Sequence, residues 1–162
     1  MNTLAIIPAR GGSKRIPHKN IKLLSGKPLA VYTIEAALHS KEITHIVLST
    51  DDEEIAEVAL KAGLQNIIMR PAEMATDEAS VIPVLEHAVT TFEKNHPKVH
   101  TVMLLNPTSP LRTNIHIDEA LSFFEKSGFD AVLSLCQCPD LSPNPLREQN
   151  RYSKLVLRFA RY

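Results

Sequence analysis

The chain has 162 residues, of which 44% are hydrophobic, 22% charged and only five are Gly; that is the size of one compact domain and excludes the disordered, collagen-like and low-complexity classes. Lys plus Arg number 18 and so do Asp plus Glu, so no global field recruits nucleic acid or a membrane surface, and any charge-based function is local. Two cysteines, Cys136 and Cys138, cannot build the disulfide framework of a small secreted domain. No segment has the form of a signal sequence or the length of a membrane span, so a soluble protein of a reducing cytoplasm is expected.

In chain order, the continuous apolar run Leu4 to Ile7, bounded by Pro8, predicts a strand buried on both faces. A helix follows from Pro28 to His39, with Leu29, Val31, Tyr32, Ile34, Ala37 and Leu38 at helical spacing and proline suited to its first turn. The alternation repeats: strand 46–48, helix 53–62 closed by Gly63, strand 66–69, helix 80–94, strand 102–105, helix 115–126 closed by Gly128, and strand 131–135. Five short strands alternating with four helices predict an α/β fold, a doubly wound parallel sheet covered by helices on both faces. The composition shifts after Cys138, where Pro139, Pro143 and Pro145 interrupt a polar segment; the expected division is a core over 1–138 and a divergent tail over 139–162. The end of that tail, 155–162, is apolar enough for an edge strand or a docking segment.

Ligands of open α/β sheets bind outside the carboxyl ends of the strands, so the segments that follow the strands carry the chemistry. After the first strand comes Ala9-Arg10-Gly11-Gly12-Ser13-Lys14-Arg15-Ile16-Pro17-His18-Lys19-Asn20, with Lys22 and Lys27 behind it and no acidic residue before Glu35. Adjacent glycines let backbone N–H groups approach a ligand, and Arg10, Lys14, Arg15 and Lys19 can neutralise several phosphate charges, so the natural ligand is a polyphosphate. A solvated basic turn is the plainer alternative. The spacing fits neither the Walker pattern nor the dinucleotide G-x-G-x-x-G fingerprint. Asp51, Asp52, Glu53 and Glu54 form the most acidic run; carboxylates suit Mg²⁺, but helix-opening acids that complement the dipole are the stronger reading. Cys136 and Cys138 lack a third ligand and read as a thiol pair rather than a zinc site. His18 alone among the histidines lies in the basic loop, as a cation or as a neutral, solvent-facing ring.

The run Ile6 to Asn20 resembles the signature of the acylneuraminate cytidylyltransferases, the CMP-sialic acid synthetases. Three more segments agree in order and spacing: Leu48-Ser49-Thr50-Asp51-Asp52, Arg70-Pro71-Ala72-Glu73-Met74-Ala75-Thr76-Asp77, and Leu104-Leu105-Asn106-Pro107-Thr108-Ser109-Pro110-Leu111-Arg112-Thr113. The resemblance implies a three-layer, mostly parallel, Rossmann-like sheet of the nucleotide-diphospho-sugar transferase type. It implies transfer of CMP from CTP to a sialic-acid-type nonulosonic sugar with release of pyrophosphate, Mg²⁺ as cofactor, and a homodimer. Arg10 and Lys19 would hold the triphosphate as the catalytic cations, Asn20 and the Ala9 backbone would contact the nucleotide, and Gly11, Gly12, Ser13 and Lys14 complete the loop. Arg70 would face the nucleotide, against the alternative of a surface ion pair. Asp77 and Ser80 would reach ribose and base, or simply cap the helix they open. Asn106 stands where relatives commonly place a longer Gln toward the sugar, and Thr108, Ser109 and Arg112 would shape the sugar pocket. Ser80-Val81 stands where many relatives carry two serines. By eye the resemblance fades after Cys136: the relatives' dimerisation arm, Asn-Gly segment and late pair of metal-binding aspartates find no match, and no protein metal ligand is assigned. The chain therefore reads as a C-terminally shortened member, either an active transferase or a CTP-binding remnant.

Overall fold

The computed structural model describes residues 2–13, 15–76 and 80–134. Lys14, Asp77, the Cys136/Cys138 pair, the 138/139 boundary and the apolar terminal run expected from sequence lie outside these residues. The chain divides into two units, the first ending at Asp118 and the second beginning at Glu119.

The first unit is built on a four-stranded, all-parallel sheet. Strand β1 (Thr3–Pro8) pairs on one side with β4 (His45–Thr50) and on the other with β6 (Thr101–Leu104), and β5 (Ile67–Met69) pairs with the far edge of β4. The order β5-β4-β1-β6 means that the chain winds outward from β1 and then returns to its other side. Since βαβ crossovers are right-handed, this return puts helices on both faces. On one face α3 (Val81–Glu93) packs against β1 and β4. Leu4, Ile6, Val47 and Ile68 meet Ala88 and Phe92 there, with Leu85, Val89 and Val99 at the margin. Helices α1 (Leu29–Leu38) and α2 (Glu53–Lys61) pack against β1, β4 and each other. Leu4 to Ile7 are fully buried, as a central parallel strand covered on both faces requires.

The predicted helices form within a residue or two of their expected bounds, and the glycine stops hold: Gly63 closes α2 at φ 94° and Gly128 follows α4 (Asn114–Ser127) at φ 64°. Two features differ from expectation. A hairpin of β2 (Leu23–Leu24) and β3 (Lys27–Pro28) precedes α1, turning through Ser25 and Gly26, both at positive φ. That pair suits a tight primed turn, while two-residue strands are too short to leave an alternation in sequence. The expected fifth strand, 131–135, is not formed over residues 131–134, and Leu135 is outside the described residues. A short apolar run takes up strand geometry only along a partner's ladder, and periodicity carries no information about pairing.

In the second unit Phe123 and Phe129 meet at 6.5 Å between ring centroids, across the turn in which Phe129 N–H donates to Ser127 Oγ. No helix among the described residues is long and apolar enough to cross a membrane.

Candidate functional site

Three loops leave the carboxyl edge of the sheet immediately beyond a last rung of the ladder. Ala9 N–H donates to the Ser49 carbonyl at 2.9 Å, Arg70 N–H to Thr50 at 2.8 Å and Leu105 N–H to Ile6 at 2.9 Å. The sheet itself thus fixes where Arg10, Arg70 and Asn106 begin their loops. The switch of winding direction lies between β1 and β6, and a cleft opens there, as expected of doubly wound sheets. Its lining includes Arg10, Lys19, Asn20, Arg70, Asn106 and Thr108, with the wall continued by Met74, Thr76 and Ser80.

The basic loop is tied back onto the fold. The buried Asn20 amide donates from Nδ2 to the Arg10 carbonyl at 2.9 Å, and the Asn20 carbonyl accepts from Ala30 N–H at 2.8 Å, so one residue closes the loop and joins it to α1. Arg10 reaches the short 3-10 turn Ala72–Ala75, where Nη1 donates to the Ala75 carbonyl at 3.5 Å. Lys19 is half-buried, whereas Arg15 and His18 are exposed; His18 takes φ 50° and its carbonyl accepts from Ile21 and Lys22. Lys27 is engaged elsewhere, paired with Glu35 and over the Tyr32 ring.

The two glycines differ. A β-carbon on Gly11 would run into the Asp52 side chain, while one on Gly12 meets nothing. Gly11 N–H donates to Asp51 Oδ1 at 3.2 Å. Gly12 is exposed and Ser13 half-buried; neither lines the cleft.

Arg70 is the most enclosed cation of the site, its side chain 4% exposed. Nη2 lies 3.5 Å from Asp51 Oδ1, and Nε finds no hydrogen-bond partner among the described residues. Burial lowers its pKa, Asp51 opposes that by charge and hydrogen bonding, and Arg10 adds a further lowering. The alternative of a surface ion pair is therefore half met: the pair exists, but the guanidinium is buried at the cleft wall.

Among the acids, Asp52 caps α2, accepting from Glu54 N–H at 2.9 Å and Ile55 N–H at 3.2 Å, as the helix-opening reading expects. Asp51 instead joins the β1 and β5 loops, a role the sequence reading missed. Its place directly beyond β4 at the sheet's carboxyl edge was the available signal. No group of three His, Cys, Asp or Glu able to hold a metal occurs among the described residues, and with Asp51 and Asp52 so engaged these carboxylates do not fit a Mg²⁺ cage.

Ser80 borders the cleft and caps α3, accepting from Ile82 N–H at 3.4 Å, as its capping reading expects. Across the cleft Asn106 and Thr108 line the wall, whereas Ser109 and Arg112 do not. Arg112 lies behind Asn106, Nη2 donating to its carbonyl at 2.6 Å, and burial lowers the pKa of this guanidinium.

Comparison with known proteins gives this geometry its family. The chain is 42% identical over 132 residues to a CMP-N,N'-diacetyllegionaminic acid synthase of Legionella pneumophila, covering 82% of this chain and 57% of that one. It is 44% identical over 124 residues to a pseudaminic acid cytidylyltransferase of Campylobacter jejuni, covering 76% and 53%. An N-acylneuraminate cytidylyltransferase of Escherichia coli aligns at 35% identity with 98% of this chain and 38% of its own. The chain thus spans about half the length, or less, of these curated relatives. Among solved structures, a CMP:2-keto-3-deoxy-manno-octonic acid synthetase complexed with CTP shares the fold at TM-score 0.63 and 23% identity, over 79% of this chain and 49% of that one. A cytidylyltransferase of Leptospira borgpetersenii does so at 0.65 and 21%, over 82% and 52%. The cytidylyltransferase family model matches residues 4–155, reaching well past the motifs legible by eye, and the chain belongs to that family.

Proposed function

We propose that the cleft binds CTP and that the protein transfers CMP to an acidic, sialic-acid-type nonulosonic sugar, releasing pyrophosphate. The observation that carries this reading is the charge arrangement at the winding switch: Arg10, Lys19 and the buried Arg70 share one cleft with the uncharged polar side chains of Asn106 and Thr108. Three cations suit a triphosphate, and the amide and hydroxyl groups carried by the loop after β6 suit a polyhydroxylated acceptor.

In this reading Arg10, Lys19 and Arg70 hold the phosphates of the nucleotide, Asn20, Ser80 and Asp77 bear on its nucleoside side, and Gly11 to Lys14 shape the loop. Ala9 places the loop through its rung to Ser49, leaving its N–H committed to the sheet. Asn106 and Thr108 orient the sugar, with Ser109 and Arg112 behind them. The sugar hydroxyl gives its proton to solvent and its oxygen bonds to the α-phosphorus as the bond from that phosphorus to the bridging oxygen breaks, pyrophosphate leaving with the bridging oxygen. Fixed cations spread the charge that develops on the departing pyrophosphate. Mg²⁺ would enter with the triphosphate and add to the charge stabilisation that these cations supply. A homodimer in the cytoplasm completes the proposal.

The test is pyrophosphate release by the purified chain with CTP and Mg²⁺, with and without a panel of nonulosonic acids. Sugar-dependent release supports the transferase; saturable CTP binding without release would favour a nucleotide-binding protein that does not turn over.

A further inference from the structure

We infer that Asp51 is a positioning residue of the phosphate site, acting through Arg70. The inference rests on the reading of the cleft as a triphosphate site, but it concerns a residue to which that reading gives no role. One carboxylate oxygen, Oδ1, accepts Gly11 N–H at 3.2 Å and faces Arg70 Nη2 at 3.5 Å. The glycine loop leaving β1 and the arginine leaving β5 are therefore registered on a single atom, which itself sits at the end of β4 between them.

The arrangement at Arg70 points to a ligand. A guanidinium with a side chain 4% exposed needs compensation, and Asp51 supplies it through one terminal nitrogen only. Nε is left buried without a partner among the described residues, although arginine presents its donors as a rigid fork suited to an oxyanion. Asp51 thus keeps the cation in place while leaving part of the fork unspent. The neighbouring Arg10, whose like charge is felt at Arg70, adds to the positive potential that Asp51 alone compensates and makes an incoming anion favourable. Asp51 is not an anion contact itself; its function is to stop Arg70 from rotating out of the cleft wall toward water.

The test is a double-mutant cycle on the full chain, read by calorimetric titration with inorganic tripolyphosphate, and with CTP, UTP and GTP in parallel. Arg70→Ala and Asp51→Ala each weaken tripolyphosphate binding by about tenfold, and the double variant loses far less than the two losses combined, because the aspartate acts on the anion chiefly through the arginine, its hydrogen bond to Gly11 N–H being the remainder. Asp51→Asn, which keeps the acceptor for Gly11 N–H but not the charge, falls between wild type and Asp51→Ala; if the alanine variant does not fold, the cycle is closed with Asn. Losses that add in the double variant, unchanged or tighter binding in the Asp51 variants, or a wild-type chain that does not bind tripolyphosphate would overturn the inference. A wild-type chain that binds CTP no better than UTP and GTP would instead overturn the cytidylyl reading, leaving the cycle intact.

Discussion

Gly11 lies directly against Asp52, so closely that a β-carbon at position 11 would stand 2.9 Å from both Cβ and Cγ of the aspartate. The basic loop and the N-terminus of α2 are thereby packed together through a missing side chain. Gly11→Ala must displace either the loop or the helix cap, at a cost of about 1–3 kcal/mol. Gly12→Ala meets open space and should change stability by no more than about 0.5 kcal/mol. Chemical denaturation of the two variants checks this; equal midpoints would mean that the close approach is relieved at no cost.

The same aspartate carries a second, separable contribution. Asp52 Oδ1 accepts from Glu54 and Ile55 N–H, and removing such a cap costs about 1 kcal/mol. Asp52→Ala should therefore lower the denaturation midpoint, while Asp52→Asn, another good cap, should recover most of it. If Asn fails to recover it, the negative charge beside the helix dipole stabilises α2 more than the capping hydrogen bonds do.

The alternation of apolar runs made the α/β class and the sheet's central strand legible, because a strand covered on both faces is apolar throughout, as Leu4 to Ile7 are. The loops that follow β1, β5 and β6 were legible as the candidate site from topology, since the carboxyl edge is where such sheets bind ligands, and the cleft opens there. Sequence did not show which members of a motif meet. Asn106 and Arg112 belong to one motif, yet Asn106 lines the cleft and Arg112 stands behind it. Asp51 and Asp52 are adjacent and alike, yet one spans two loops and the other caps a helix, a difference set by how the chain turns at the end of β4. The hairpin before α1 and the unformed strand at 131–134 depend on pairing, which composition and period do not encode.

Loss of Arg10 or Lys19 should grow with the number of phosphates on the ligand. Both side chains line the cleft and neither is fully buried, so their attraction is long-ranged and screened by salt. Arg10→Ala and Lys19→Ala should each weaken CTP by about tenfold or more and CMP by less, and raising the salt concentration should narrow the gap between wild type and variant. Titrations of CTP, CDP and CMP at two ionic strengths decide it; equal losses for all three nucleotides would place these residues away from the terminal phosphates.

CTP should stabilise the fold, and go on doing so with the logarithm of its concentration once the site is filled. A ligand held only by the native state adds about 2.7 kcal/mol at a hundredfold excess over its dissociation constant. Thermal unfolding with increasing CTP should show a rising midpoint, and UTP and GTP at the same concentrations should raise it less. Equal shifts for all three would indicate a site that recognises triphosphate and not the base.

Arg112 should affect the sugar and spare the nucleotide. The Asn106 carbonyl accepts Arg112 Nη2 at 2.6 Å, with Ser109 N–H at 3.4 Å and Thr33 Oγ1 at 3.5 Å as weaker companions. Its strongest anchor is therefore the guanidinium behind it, on the side of the cleft opposite the basic loop. Without that anchor the Asn106 backbone shifts and its amide moves off the acceptor. Misplacement of an orienting group by about 1 Å has effects of up to a hundredfold. Arg112→Ala should raise the KM for the sugar at least severalfold with the affinity for CTP unchanged. Arg112→Lys should recover part of the loss, since it restores one donor but not the planar fork. Steady-state kinetics at saturating CTP, with CTP binding measured separately, tests the separation. A loss of CTP affinity as large as the rise in sugar KM would mean that Arg112 supports the whole cleft and not its sugar side.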